Sequence, residues 1–414
     1  MGVRIAFPQW RDTSVIRVGI NGFGRIGRGV VRALYGAPSH RSTRPGETGR
    51  PIQIVGVNDL VPAPTLAHLL ENDSIFGPFK SDGVRPVSVF ADGNSIRIGD
   101  DGMTGAHVPH LFVFHCADGE GQRTSEFQKI SIPVFSERDP GRIPWGELGA
   151  DIVVESTGLF TKAEKARAHL EAGARRVIIS APAEGEDITI VMGVNHDQYD
   201  PDAHRIVSNG SCTTNCLAPV AKVLNDAFGI ESGIMSTVHA YTNDQNLHDQ
   251  GHRDLRRARA GTLSMIPSST GAAVAIGRVL PELDMKLTGS AIRVPVPDVS
   301  VIEFVVNLRR FATAEQINNA FREAAEGHLN GILGYTEKPL VSSDYVGNPL
   351  SATVDGPLTL VVPREGEGSM VKVTAWYDNE WGFSNRMVDL IRYMAPPVRH
   401  GDRWSDWDKK PEEA

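Results

Sequence analysis

Two of the chain's three cysteines, Cys212 and Cys216, lie four residues apart in "SNGSCTTNCLAP", Ser208 to Pro219. A structural zinc site takes about four ligands, and this spacing supplies two. The other sulfur and imidazole candidates, His107, His110, His115 and Cys116, fall in a Gly-, Asp- and His-rich stretch without paired spacing, so no metal is expected. A redox couple normally has the form C-x-x-C. One nucleophile beside a buried bystander remains. The strand-like "HRIVS" comes first, Asn209 and Gly210 suit a turn, and Ser211 suits a helix N-cap. Leu217, Val220, Ala221, Leu224, Ala227 and Phe228 then form one apolar helical face. Cys212 thus opens a helix, where unpaired N–H groups and the helix dipole favour a thiolate. Cys216, one turn further and in line with Val220, reads as a small core residue. A nucleophilic thiol needs a base. His239, in "STVHAYTNDQ", ends a predicted strand 27 residues downstream, and a strand–helix–strand return would bring it to the sheet end where Cys212 lies. With thirteen histidines present, residue types alone leave this pairing open.

A second chemical feature lies near the start. "VIRVGINGFGRIGR" sets Gly22, Gly24 and Gly27 in G-x-G-x-x-G spacing after a strand and at the opening of a helix. The three glycines serve a tight turn, close approach of backbone to a pyrophosphate, and close helix–strand packing. An acidic residue is expected about 20 residues on, to bind ribose hydroxyls. Asp59 ends "IQIVGVND" 32 residues beyond Gly27, and without the 14-residue stretch Ala37 to Arg50 the distance becomes 18. A carboxylate there bonds a ribose 2′-OH and repels a 2′-phosphate, favouring NAD over NADP.

The elements that must position these groups follow from the pattern of the chain. "VIRVGI", "IQIVGV", "DIVVES" and "RVIIS" read as buried parallel strands alternating with helices such as "RIGRGVVRALYG" and "TKAEKARAHLEAGA". That alternation predicts an α/β Rossmann dinucleotide-binding domain over residues 15–211, interrupted by surface inserts near 37–50 and 99–125. After Cys212, "GIMSTVHAYT", "GSAIRVPVPDVSVIEFVVNL" and "SMVKVTAWYD" predict an α+β catalytic domain on a mostly antiparallel sheet over 212–379. A closing helix over 380–396 is expected to pack back onto the first domain. At 414 residues two domains are the natural division. A net charge of −8 argues against nucleic-acid partners, and no apolar run is long enough to span a membrane. The single basic run, "HRDLRRARA" at His252 to Ala260, reads as a solvated or subunit-facing segment. Sparse cysteines and the lack of a secretory pattern at the N-terminus point to the cytoplasm.

Taken together, "GINGFGRIGR", "SNGSCTTNCLAP", "TVHAYTNDQ", "DLRRARA", "STGAA", "RVPVPDVSV" and "WYDNEWGFSNRMVDL" resemble, in order, the motifs of phosphorylating glyceraldehyde-3-phosphate dehydrogenases. The resemblance runs from Ile16 to about Tyr393. It implies that Cys212 attacks the aldehyde of glyceraldehyde 3-phosphate to form a hemithioacetal, with His239 as acid/base. Hydride transfer would leave an acyl-thioester, which inorganic phosphate would release as 1,3-bisphosphoglycerate. It further implies that Gly22, Gly24, Arg25, Ile26, Gly27, Asp59, Arg138, Thr157 and Asn379 bind the cofactor, Asn379 holding the nicotinamide carboxamide. Thr242, Asp244 and Arg293 would bind the substrate phosphate, and Ser211, Thr213, Thr270 and Gly271 the inorganic phosphate. A homotetramer is also implied, with "DLRRARA" in a loop reaching across subunits.

Four positions depart from the family pattern. Gln250 and Gly251 stand where NAD-specific members usually have Leu-Pro, so Asp59 and this pair point in different directions, and use of NADP or of both cofactors stays open beside NAD. Phe383 replaces a tyrosine, and Gly210 an alanine. Two alternatives share the pattern: erythrose-4-phosphate dehydrogenase, whose members tend to lose the threonine and "TGAA" run retained here, and a catalytically idle NAD-binding regulatory protein on the same fold.

Overall fold

The computed structural model describes residues 15–36, 50–81, 85–86, 88–99, 130–363 and 368–395. Most of both expected inserts, with His107, His110, His115 and Cys116, lies outside these residues. Two sheets organise the rest.

The first has nine strands: β1 (Ile16–Asn21), β2 (Ile52–Asn58), β3 (Ser88–Asp92), β4 (Ser95–Gly99), β5 (Ile130–Phe135), β6 (Ile152–Glu155), β7 (Arg176–Ile179), β8 (Ile188–Thr189) and β9 (Ile206–Ser208), in the order β8-β9-β7-β6-β1-β2-β5-β4-β3. Pairing is parallel from β8 to β5 and antiparallel in the β5-β4-β3 edge. Every residue of β6 and β7 is buried, which explains why these segments read as unbroken apolar runs without alternation. Helices α1 (Arg25–Tyr35), α2 (Ala63–Glu71) and α3 (Ala163–Glu171) connect the strands. Strand order reverses between β6, β1 and β2, and the carboxyl ends at such a switch point form the ligand crevice of a doubly wound sheet. Asn21, Asp59 and Glu155 stand at those ends.

The cysteine-bearing helix α4 (Cys212–Phe228) leaves β9 and packs on the second sheet. That sheet comprises β10 (Ile230–Ala240), β11 (Ile266–Ser269), β12 (Leu287–Val294), β13 (Ser300–Leu308), β14 (Leu333–Thr336), β15 (Ala352–Asp355), β16 (Leu360–Pro363) and β17 (Ser369–Tyr377). Its order is β11-β12-β10-β13-β17-β15-β14, with β16 also paired to β17. It is mostly antiparallel, with parallel pairs β10–β12 and β14–β15. One consequence corrects the sequence reading: β9 and β10 belong to different sheets. His239 therefore does not reach Cys212 by returning to one sheet end. It does so because α4 crosses from one sheet to the other and lies over the face of β10 on which His239 is buried. Helices α5 (Ala272–Val279) and α6 (Ala314–Glu326) pack beside α4, and α6 starts with a full capping box of Thr313 and Gln316. The last helix, α7 (Trp381–Tyr393), packs on α1.

The first glycine loop shows how backbone proximity builds the crevice. Gly22 has φ 92°, open to glycine and strained for other residues. A Cβ on Gly27 would sit 2.3 Å from the Gly22 carbonyl oxygen, so α1 rests on the turn with no space for a methyl group. Gly27→Ala is expected to destabilise the protein by about 1–3 kcal/mol through overpacking and to weaken NAD binding in parallel. Thermal unfolding and calorimetric titration check both effects.

Candidate active site

Cys212 is the first residue of α4, with Ser211 as its cap: the Thr214 N–H donates to Ser211 Oγ at 3.0 Å. Gly210 has φ 65°, so glycine in place of the family's usual alanine relieves a left-handed turn. The Cys212 Sγ lies 3.5 Å from His239 Nε2. His239 Nδ1 lies 2.7 Å from the Ala240 carbonyl oxygen, which can only accept, so the ring proton is on Nδ1 and Nε2 is the free base facing the thiol. Arg293 Nη1 also approaches Nδ1, at 3.1 Å, and donates to the same Ala240 oxygen at 3.0 Å. Two donors cannot bond each other, so the Arg293–Nδ1 approach is a repulsive neighbour contact. Burial first, and the Arg293 charge second, push His239 down to about 3. Burial likewise pushes the Cys212 thiol up, against the pull of Arg293. The helix-terminal N–H groups of Cys212 and Thr213 pull the same way as Arg293, toward the thiolate that the sequence reading expects, and burial opposes both. A lone charge on either group is disfavoured, whereas moving the proton from Sγ to Nε2 creates two opposite charges in contact. Cys216 is fully buried and its thiol is pushed well above the usual range.

Tyr377 backs this pair. Its hydroxyl lies 2.9 Å from both Thr213 Oγ1 and Thr237 Oγ1, and its ring meets His239 edge-on at a 5.9 Å centroid distance. The Thr213 hydroxyl is therefore buried toward Tyr377. Thr242 Oγ1 accepts from Arg293 Nη1 at 3.3 Å, while the buried Arg293 Nε has no hydrogen-bond partner among the described residues. A buried guanidinium N–H left without an acceptor fits a site that receives an anion. Asp244 does not stand free beside them: it is ion-paired with Arg257 and lies 3.5 Å from His252. Arg257 also donates to Ser268 Oγ at 2.6 Å, and its charge acts on His239 and Arg293. Within the "HRDLRRARA" run Arg257 thus turns toward the site, while Arg253, Leu255, Arg256 and Arg259 stay exposed, as the reading of a solvated or subunit-facing segment expects. Thr270 and Gly271 precede α5, with the Ala272 N–H donating to Thr270 Oγ1 at 3.2 Å.

On the cofactor side, Gly24 caps α1 with no side chain over the helix terminus, and a Cβ there would meet open space. That leaves the helix start free for phosphate oxygens. Ile26 packs partly into the core behind it. The Arg25 side chain is engaged elsewhere, in ion pairs with Asp73 and Glu380, so only its backbone is available to a phosphate. Asp59 takes the Phe23 N–H at 2.8 Å on one oxygen and the Val61 N–H at 3.0 Å on the other, fixing its carboxylate beside the glycine loop. A cavity of about 380 Å³ at this end is lined by Leu60, Ser136, Glu137, Arg138, Asp139 and Arg142. Thr157 is held by its own N–H to Glu155 Oε1 at 2.8 Å. Glu155, fully buried, also accepts from Asn21 at 2.6 Å and contacts His169 Nε2 at 2.9 Å. Asn21 in turn accepts from Asn58, which exchanges hydrogen bonds with the backbone of Glu137. One buried polar network thus sets the glycine loop, the Arg138 loop and Thr157 relative to one another. The open helix terminus, the fixed acidic residue and the cavity together fit a dinucleotide.

Asn379 follows β17, and its Oδ1 accepts from Ser300 Oγ at 2.7 Å. Beside them stand two buried carboxyls. Asp378 accepts backbone N–H bonds from Gly347, Glu380 and Trp381 at 2.8, 3.0 and 2.6 Å, whereas neither oxygen of Asp298 takes a well-formed hydrogen bond among the described residues. Burial, and next the Asp378 charge, push Asp298 up to about 9. The proton of the pair therefore sits on Asp298, and the charge on Asp378, where three N–H groups face it. Sequence reasoning passed over Ser300, Tyr377, Arg257 and both carboxyls. The only signal was their place inside or beside motifs already matched.

Family models match along both halves of the chain. The "Glyceraldehyde 3-phosphate dehydrogenase, NAD binding domain" matches residues 16–104 and 115–163, and the "Glyceraldehyde 3-phosphate dehydrogenase, C-terminal domain" matches residues 211–379. Among similar proteins, glyceraldehyde-3-phosphate dehydrogenase 1 of Bacillus subtilis is 52% identical over 380 residues, covering 92% of this chain and 98% of the relative. The Geobacillus stearothermophilus glyceraldehyde-3-phosphate dehydrogenase is 51% identical with the same coverage. Glyceraldehyde-3-phosphate dehydrogenase 1 of Streptomyces avermitilis is 51% identical over 375 residues, covering 91% and 97%.

The carboxyl pair gives a pH signature. Because the folded-state pKa of Asp298 lies above the unfolded value, the native state holds the extra proton between about pH 4 and 9. Its contribution to stability is complete at the acid end and is lost as pH rises through that window. Asp298→Asn keeps a donor toward Asp378 without titrating, so its stability relative to wild type should rise from pH 5 to pH 9, by about 1 kcal/mol per pH unit at the steepest. Urea unfolding at matched protein concentration across that range checks the slope. Glu380, already paired with Arg25, is the other acidic group acting on Asp298.

Proposed function

Because the chain belongs to the glyceraldehyde-3-phosphate dehydrogenase family and is an NAD-dependent oxidoreductase of that kind, we propose that Cys212 is its nucleophile and His239 its acid/base. The observation that carries the assignment is the 3.5 Å approach of Cys212 Sγ to a His239 whose other nitrogen is occupied by the Ala240 carbonyl. As Sγ bonds to the aldehyde carbon of glyceraldehyde 3-phosphate, its proton moves to Nε2, and the carbonyl electrons go to oxygen. Nε2 returns that proton to the oxygen, completing the hemithioacetal, and takes it back as the carbonyl of the thioester forms. NAD, when bound, supplies the acceptor for the hydride lost from that carbon. An oxygen of inorganic phosphate then attacks the thioester carbon, the C–S bond breaks, and Cys212 leaves as thiolate with 1,3-bisphosphoglycerate as product.

Arg293 and Thr242 bind the substrate phosphate, with Asp244 acting through Arg257 and not as a direct ligand, since a free carboxylate would repel the anion. Ser211, Thr213, Thr270 and Gly271 border the inorganic-phosphate position; the Tyr377 contact makes Thr213 the least available of these hydroxyls. The glycine loop, Ile26, Asp59, Arg138, Thr157 and Asn379 bind NAD, with Arg25 contributing backbone only. The buried Arg293 Nε, without a hydrogen-bond partner among the described residues, supports the anion assignment.

The enzyme acts in the cytoplasm as a homotetramer. Among the described residues no helix is long and apolar enough to cross a membrane. Ile234, Ile292, Val305, Leu360, Val362 and Met370 are exposed on the face of the second sheet away from α4, an apolar surface of the kind that subunit contacts cover.

Cys212→Ser is expected to abolish phosphate-dependent NADH formation, and His239→Asn to lower kcat about 10²- to 10⁴-fold. NADH production that persists unchanged in Cys212→Ser contradicts the assignment. The same assay run with NAD and with NADP measures the cofactor preference on which Asp59 and the Gln250–Gly251 pair disagree.

A further inference from the structure

Ser300 lies between the two halves of the site. Its hydroxyl accepts the Ala240 N–H at 3.1 Å and reaches Asn379 Oδ1 at 2.7 Å. An amide N–H can only donate, and among the described residues the buried Ser300 hydroxyl has no other partner than Asn379, so its proton is satisfied only if the atom it meets there is an acceptor. The side-chain amide of Asn379 is thereby fixed in one of its two flips, Oδ1 toward Ser300 and both Nδ2 hydrogens on the other side. Asn379 and Ser300 are each at least 95% buried, so water does not compete for this bond.

The segment carrying Ser300 is held in an unfavourable form. Val299 has φ 66°, a left-handed conformation that a β-branched residue rarely adopts. Contacts on both sides keep it there. Asp298 abuts Asp378, the residue before Asn379, and Ser300 pairs in register with Tyr377 across β13 and β17. Two links, carboxyl to carboxyl and hydroxyl to amide, thus tie Asp298–Ser300 to Asp378–Asn379. The Ala240 backbone links both to His239.

We propose that Ser300 is a positioning residue that locks the Asn379 amide with its N–H groups toward the nicotinamide carboxamide and registers it to the strand bearing His239. This rests on the reading that Asn379 contacts the nicotinamide. Without the Ser300 proton, the amide can turn its oxygen toward the carboxamide carbonyl and repel it, while adenosine and pyrophosphate contacts are untouched.

The test compares binding of NAD with binding of ADP-ribose, which lacks the nicotinamide, by calorimetric titration of the full chain. Ser300→Ala should weaken NAD about tenfold, the value of roughly one lost hydrogen bond, and leave ADP-ribose within about twofold. Asn379→Ala should reduce the same preference, and adding Ser300→Ala to it should change nothing more. Transfer of deuterium from 1-deuterated aldehyde should go to one face of the nicotinamide in wild type and to both faces in Ser300→Ala. Ser300→Cys, nearly isosteric with a weak donor, should shift binding the same way and serves if Ser300→Ala does not fold. If Asn379→Ala reduces the preference and neither Ser300 variant does, the role of Ser300 is overturned. If Asn379→Ala itself leaves the preference intact, the reading of Asn379 fails, and this inference with it. Equal weakening of NAD and ADP-ribose by the Ser300 variants would mark a purely structural residue and also overturn the proposal.

Discussion

The backbone of one residue, Ala240, constrains the site more than any side chain does. Its carbonyl takes the Nδ1 proton of His239 and a hydrogen bond from Arg293, which decides that Nε2 is the free base. Its N–H is held by Ser300, whose own proton is spent on Asn379. The base for the thiol and the amide of the cofactor site therefore share one rigid support at the end of β10.

The electrostatics follow from placing this support between two sheets. The imidazole is buried and the thiol half-buried, and burial disfavours a lone charge on either. Arg293 adds to this at the imidazole, where it disfavours a positive charge, and offsets it at the thiol, where it favours a negative one. What the site does tolerate is a proton moved within the pair, which keeps opposite charges in contact while the Sγ–carbon bond forms. The carboxyl pair Asp298–Asp378 solves a similar problem differently: one proton is retained, and the remaining charge is placed where three backbone N–H groups converge.

Much of this was legible in the chain. The parallel strands were evident because strands buried on both faces are apolar throughout, and the glycine spacing placed the crevice at the end of β1. Ser211, Gly210 and Cys212 could be placed because caps and turns are local. The route from Cys212 to His239 was not legible, since nothing in a strand–helix–strand pattern says that the second strand joins another sheet. Nor were Arg257 and Ser300, whose roles depend on a loop folding back and on two strands in register. The restraint on Cys212 was missed for a related reason. A helix terminus can be read from sequence, but the burial that opposes it comes from tertiary packing.

The central claim is that Cys212 gains its reactivity from proton transfer to His239 Nε2 and not from the helix terminus alone. The pH dependence of Cys212 alkylation by iodoacetamide, measured with and without His239→Asn, tests it directly. Cys212 in wild type should stay reactive well below the ordinary thiol range near pH 8.5, and His239→Asn should move the profile to that range or above it. Superimposable profiles for the two proteins would contradict it.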